Sequence, residues 1–265
     1  MEDLKPRAKK SLGQNFLINQ GVIERIVRLA EVGSDDTVLE IGPGRGILTR
    51  ALAARAGRLI AVEKDDRLAA ELKAEFADYA HVTIRPADIL DCELGELVPP
   101  GSKVVANLPY NISTVVIARL CALANPAAAM VFMVQKEVAE RLIARPGDPD
   151  YSSLSVLVAA THAAKPGFLV GPENFRPRPR VDSMVIRLTP LAAPIAVDET
   201  FRRVVQTAFN QRRKMLRKSW LNLPAMDKER LEHLAAQARI DLSLRPERLT
   251  PEDFRRMTDV LLAAG

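Results

Sequence analysis

The sequence is poor in the residues that build disulfide frameworks and metal sites. Two cysteines, Cys92 and Cys121, stand among 265 residues. That number cannot form a disulfide scaffold and points to a reducing compartment. The three histidines, His81, His162 and His233, lie far apart in the chain, so no structural zinc site, and no metal, is expected. No apolar run reaches the roughly 20 residues that a membrane span requires. The opening MEDLKPRAKK is charged and lacks the apolar stretch of a secretory signal, which makes the cytoplasm the expected location. Neither sign of charge dominates, with 38 Lys and Arg against 33 Asp and Glu. At 48% hydrophobic and 27% charged residues, the composition is that of a globular chain rather than a disordered or fibrous one. Its length suits one large domain or two unequal ones.

What is present is charge collected in patches. Residues 1–190 hold 24 basic and 23 acidic side chains, whereas residues 191–265 hold 14 and 10. Between positions 201 and 220 stand Arg202, Arg203, Arg212, Arg213, Lys214, Arg217 and Lys218, with no acid among them. Lys5, Arg7, Lys9 and Lys10 form a second cluster, and Arg176, Arg178 and Arg180 a third, in a proline-rich stretch. Most charge runs are solvated helix faces. Three acid-free clusters in one chain instead favour a phosphate backbone, whose counterions they would release. An anionic membrane surface is the weaker rival, since the basic run lacks a strong aromatic face.

Apolar runs of strand length alternate with helical patterns through the first two-thirds. Strands are expected at 37–41, 59–63, 82–85, 104–107 and 129–135. Helices are expected at 47–56, 66–76, 113–123, with Ser113 as its cap, and 136–144. Such alternation predicts a parallel sheet covered by helices on both faces. A helix at 151–163 follows, then strands at 165–170 and 184–188. The loop GPENFRPRPRVDS joins them, as in an antiparallel hairpin closing the sheet. Periodicity lapses at 189–194, and only helices follow, at 199–219, 227–238 and 251–263. The expected organisation is an α/β domain over 1–190, with a basic segment at 1–20, and a small helical RNA-binding domain over 191–265.

The turn after the first strand reads Glu40-Ile41-Gly42-Pro43-Gly44-Arg45-Gly46. Glycines there allow a tight turn and close approach of a ligand to the backbone. Glu63 ends the next strand, 21 residues after Gly42, where a carboxylate can accept both hydroxyls of a ribose. The G-x-G-x-G spacing resembles the nucleoside turn of class I S-adenosylmethionine (SAM) methyltransferases rather than a dinucleotide fingerprint. An acid at Glu40 suits a cationic sulfonium and would repel a pyrophosphate. Asp88, after the third strand, can accept a hydrogen bond from an adenine amine, with Ile89 packed on the ring. Alone it would be an ordinary turn residue. Together, the three lie where ligands bind, beyond the carboxyl ends of a parallel sheet.

Asn107-Leu108-Pro109-Tyr110 ends the fourth strand. It resembles the (D/N)PPY-type motif of enzymes that methylate an exocyclic amine. The lone pair of an aryl amine is delocalised into the ring. The Asn107 oxygen and the carbonyl of Leu108 or Pro109 can accept from the NH2, localise that lone pair and aim it. Proline fixes the backbone, and Tyr110 offers a stacking face to a flipped base. Proximity and alignment then supply most of the catalysis, without a dedicated base or metal.

Further motifs are Ser11-Leu12-Gly13-Gln14-Asn15-Phe16-Leu17, Asn174-Phe175-Arg176-Pro177-Arg178-Pro179-Arg180-Val181-Asp182-Ser183 and Phe209-Asn210-Gln211-Arg212-Arg213-Lys214-Met215-Leu216-Arg217. In this order, across nearly the whole chain, the set resembles the ribosomal RNA adenine N6,N6-dimethyltransferase family of the KsgA type. The resemblance implies a Rossmann-like class I SAM-dependent methyltransferase sheet with a small C-terminal all-helical domain. It implies SAM as methyl donor, and as substrate two adjacent adenosines near the 3′ end of 16S rRNA in a small-subunit precursor. A monomer is expected. The family would place Asn15, Leu17, Gly42, Glu63, Asp88 and Asn107 at the SAM site. Asn107, Leu108 and Tyr110 would face the target base. Phe175 would stack on its other side from a rigid exposed loop, an interaction worth ~1–3 kcal/mol. Phosphates would fall to Arg176, Arg178, Arg212, Arg213, Lys214, Arg217 and Lys218.

Three rivals remain. One is a large-subunit rRNA methyltransferase of the antibiotic-resistance type. Another is a non-catalytic rRNA-binding assembly factor, against which intact Glu63, Asp88 and Asn107 argue. The last is a nicotinamide dehydrogenase, which would need a catalytic His or Lys near the fourth strand.

Overall fold

The computed structural model describes residues 14–264. The basic cluster Lys5, Arg7, Lys9 and Lys10, and Ser11-Leu12-Gly13 of the first motif, lie outside the described residues. In chain order the elements begin β1 Phe16–Leu17, α1 Gln20–Ala30, β2 Thr37–Ile41, α2 Ile47–Ala53, β3 Arg58–Glu63, α3 Asp66–Glu75 and β4 Val82–Pro86. They continue with α4 Leu94–Leu97, β5 Lys103–Asn107, α5 Ser113–Cys121, β6 Ala129–Gln135, α6 Lys136–Ile143, α7 Ser153–Thr161 and β7 His162–Val170. The chain closes with β8 Phe175–Arg176, β9 Ser183–Pro190, α8 Glu199–Phe209, α9 Leu216–Ser219, α10 Lys228–Ala238 and α11 Pro251–Ala263. Two compact units result. The first runs to Ala139 and resumes over Ala164–Pro190; the second comprises Glu140–Ala163 and the chain from Leu191 onward.

The first unit is built on a seven-stranded sheet of order β4-β3-β2-β5-β6-β9-β7. Strands β2 to β6 pair in parallel, and β9 runs antiparallel to β6. The central strands are apolar at nearly every position because both faces are buried, as Val38, Leu39, Val104, Val105 and Met133 show. Helix α1 has no counterpart among the sequence expectations. Its apolar residues Val22, Ile23, Ile26, Val27 and Ala30 are all buried, and the Asn19 side chain accepts from the N–H groups of Gly21 and Val22 at its start. Ser113 is not a cap: Ile112 occupies that position, and the Ser113 hydroxyl donates to the Tyr110 carbonyl at 3.3 Å. A second, two-stranded sheet pairs β1 with β8, Phe16 opposite Arg176 and Leu17 opposite Phe175. The stretch expected to be all loop between β7 and β9 therefore holds a strand.

The second unit is helical, around Tyr151, Phe201, Leu234, Trp220 and Phe254, all buried. The polar atoms of two of these aromatic side chains are satisfied. Trp220 Nε1 donates to the Val204 carbonyl at 3.0 Å, and the Tyr151 hydroxyl donates to the Leu249 carbonyl at 3.0 Å. The unit also takes in residues 140–163, which the expected boundary at 190 assigns to the first domain. The reason lies in α7, where Leu154, Val156, Leu157, Val158 and Ala160 are buried on all sides. A helix apolar all round needs cover all round, and α8 and α11 of the same unit contact it. The single helix expected at 199–219 is two. The amides of Leu216 and Arg217 donate to the carbonyls of Leu244 and Leu242 at 2.8 and 3.0 Å instead of continuing the α8 ladder.

Candidate active site

Every residue expected at the SAM site lines one cavity of the first unit, at the carboxyl ends of β2, β3 and β5. Asn15, Leu17, Gly42, Glu63, Asp88, Ile89 and Asn107 all face it, and so do Leu108, Pro109 and Tyr110. Phe16, Glu40, Arg45 and Lys64 line it as well.

The glycine turn is a backbone conformation that packs closely against its neighbours. Gly42, Gly44 and Gly46 all have positive φ, at 66°, 59° and 74°, a region that side chains disfavour. A Cβ on Gly44 would stand 3.0 Å from the Phe16 ring. Glu63, at the end of β3, is buried and held at both oxygens. Oε2 accepts from the Gly44 N–H at 2.9 Å and Oε1 from the Asp65 N–H at 2.8 Å. Burial pushes its carboxyl above the usual carboxylate range, against the pull of those two N–H groups. Held in place by backbone N–H groups, the carboxylate keeps acceptor capacity for a diol.

Glu40 is deeper, 1% exposed. Among the described residues its Oε2 has no hydrogen-bond partner. Burial pushes this carboxyl up to about 8, and the charge of Glu63 adds to the rise. Asp88 is half-buried. Its Oδ1 accepts from the Leu90 N–H at 3.0 Å, and Lys64 Nζ donates to Oδ2. Burial would raise the Asp88 carboxyl, but Lys64, the Leu90 N–H and the charge of Arg119 outweigh it and hold it low. It stays an ionised acceptor.

Asn107 ends β5, half-buried. Its Nδ2 donates to the Asn15 carbonyl at 3.3 Å. A carbonyl only accepts, so the amide nitrogen faces Asn15 and Oδ1 is left on the other side. Leu108 is buried and its N–H donates to the Met133 carbonyl at 3.1 Å, while the Pro109 carbonyl accepts from the Ile112 N–H at 3.2 Å. The motif is thus an extension of the sheet into a fixed turn.

Phe175 corrects an expectation. It is fully buried, not exposed, because the pairing of β8 with β1 turns it into the apolar cluster that holds Leu17, Val170 and Val185. In this conformation its ring is not offered to a base, and it does not line the cavity. Arg176 and Arg178 in the first unit are exposed, as are Arg212, Arg213, Lys214, Arg217 and Lys218 in the second. Arg212 spends a guanidinium N–H on the Pro149 carbonyl. Among the described residues no cluster of His, Cys, Asp and Glu could hold a metal ion, and no helix is long and apolar enough to cross a membrane.

Residues 5–262 match the family model described as ribosomal RNA adenine dimethylase. A relative from Geobacter sulfurreducens, named Ribosomal RNA small subunit methyltransferase A, is 43% identical over 270 residues, 98% of this chain and 97% of that protein. A relative of the same name from Pseudomonas putida is 42% identical over 265 residues, with 98% and 97% covered. Among solved structures, a dimethyladenosine transferase from Plasmodium falciparum superposes with a TM-score of 0.77 at 26% identity, covering 91% of this chain and 95% of the other. The 23S rRNA methyltransferase ErmE superposes at 0.64 and 29% identity, covering 93% and 99%.

Proposed function

The chain belongs to the ribosomal RNA adenine dimethylase family, and from that premise we propose that it transfers methyl groups from SAM to the N6 of two adjacent adenosines near the 3′ end of 16S rRNA, in a small-subunit precursor. The relatives at 40–43% identity carry a small-subunit name, which favours this substrate. The likeness to ErmE makes a large-subunit adenine the second reading. On the first reading the protein works in the cytoplasm, as a monomer.

The cavity fits SAM by its donor set. Glu63 would take the ribose hydroxyls, Asp88 the adenine amine, and Ile89 the adenine face. The glycine turn would lie against the nucleoside. Bound SAM supplies an electrophilic methyl group on a cationic sulfonium.

The observation that carries the proposal is the orientation of Asn107. With its nitrogen committed to the Asn15 carbonyl, its oxygen is preset to accept one N–H of a target amine. The Pro109 carbonyl already accepts from Ile112, so the Leu108 carbonyl is the better acceptor for the other. Two acceptors at fixed angles favour a pyramidal nitrogen, which is stabilisation of the transition state rather than of the bound substrate. With SAM held by Glu63, Asp88 and Ile89, the nitrogen lone pair would form the new N–C bond as the S–C bond breaks, leaving a neutral thioether. The N–H proton then leaves to water. One N–H remains, so the monomethylated amine must rotate and react again.

The test is methyl transfer from labelled SAM to unmethylated small and large subunits, followed by nucleoside analysis. Label recovered as N6,N6-dimethyladenosine from small subunits is the expected result. Label in large subunits alone, or in neither, would overturn the proposal.

A further inference from the structure

The loop that joins β8 to β9 carries exposed arginines in its middle, but its far end reaches into the site. Ser183 opens β9, fully buried and in register with Gln135 at the end of β6. A hydrogen bond of 2.6 Å links its Oγ to the Tyr110 hydroxyl. Tyr110 is thereby held at both ends, since its carbonyl accepts from Ser113 Oγ at 3.3 Å. Burial pushes the phenol above its ordinary range, against the pull of Ser183, so the group stays a neutral hydroxyl.

A tyrosine side chain has two free torsions. Anchoring the hydroxyl as well as the backbone fixes the plane of the ring. A phenol engaged with a buried serine is not poised to exchange protons with a substrate. What remains for Tyr110 to offer is its face.

We propose that Ser183 is a positioning residue for methyl transfer: its hydroxyl holds the Tyr110 ring in the plane against which the target adenine stacks. The same serine ends the segment that bears Arg176, Arg178 and Arg180, so the plane is tied to a loop suited to touch RNA phosphates. This rests on the adenine reading of the site given above.

The test is a double-mutant cycle of Ser183→Ala, Tyr110→Phe and the pair, by single-turnover transfer at saturating SAM and small subunit, with SAM affinity measured alongside. Tyr110→Phe removes the same bond from the half-buried side, without altering the fully buried serine. Each single variant is expected to slow transfer roughly three- to tenfold, the scale of one neutral hydrogen bond. The pair should be no slower than either single, because both delete one bond. SAM affinity should hold, which a general loosening of the fold would not allow. Ser183→Ala at the wild-type rate, or rate losses that multiply in the pair, would overturn the proposal. Wild-type protein that forms no methylated adenine would overturn the adenine reading and this proposal with it.

Discussion

Glu63 and Asn107 sit at strand ends of the sheet unit, each fixed by backbone partners: Gly44 and Asp65 for one, Asn15 for the other. Arg213, Lys214, Arg217 and Lys218 of the helical unit stand exposed, on the turn after α8 and on the short α9. On the proposed function, the difference follows from what each would do. Moving a methyl group requires atoms held to fractions of an ångström. Gripping a polyanion requires positive charge at sufficient density, since counterion release does not depend on exact side-chain pose. One unit is therefore legible as geometry and the other as electrostatics.

This division of labour is most exposed to failure at Asn107. Asn107→Ala should lower single-turnover methyl transfer by roughly 10²–10³, the scale of removing one transition-state hydrogen bond, while rRNA affinity barely changes. Next in size is Glu63→Ala, which should weaken SAM binding by about tenfold or more, since it would remove the two charge-assisted hydrogen bonds proposed to the ribose. Calorimetric titration with unchanged affinity would remove Glu63 from the ribose. On the electrostatic side, neutralising Arg213, Lys214 and Lys218 together should flatten the salt dependence of subunit binding by about 0.7–0.9 for each phosphate no longer neutralised. An unchanged slope would make these residues a solvated face and nothing more.

The smallest effect is on stability. Glu40 has a folded-state carboxyl raised to about 8 from an ordinary 4.5. Between those values the folded chain binds a proton that the unfolded chain releases, so the contribution is fully present below the lower value and is lost as pH rises through the upper one. Glu40→Gln should therefore gain melting temperature over wild type as pH climbs from 6 to 9, by about a few degrees. A gap that stays flat across that range would mean that Glu40 is ionised throughout.

Much of the sheet is readable in the sequence because its strands are continuous apolar runs between glycine and polar punctuation. Thr37–Ile41 and Ala129–Gln135 form where such runs stand. So does α11, opened by Thr250 and Asp253 as a capping box with Pro251 at the first position. The glycine turn and the Asn107 motif are readable because each is contiguous. What is not readable is what distant segments do to each other. Strands β1 and β8 are two residues each, too short for any period, and exist only by pairing. Their pairing buries Phe175, which among arginines and prolines reads as exposed. The bonds from Asn107 to Asn15 and from Tyr110 to Ser183 span 92 and 73 residues and leave no local trace. Helix α1 differs: Asn19 and the spacing of its apolar residues are signal enough.

The most direct measurement is single-turnover methyl transfer across a series of small-subunit concentrations, run in parallel for wild type, Asn107→Ala and the Arg213, Lys214 and Lys218 triple variant. The expected result is a clean separation. Asn107→Ala should lose its plateau rate and keep its half-saturation concentration. The triple variant should keep its plateau and need more subunit to reach it. If both variants lose plateau and half-saturation together, chemistry and grip are not divided between a fixed strand-end site and an exposed basic surface.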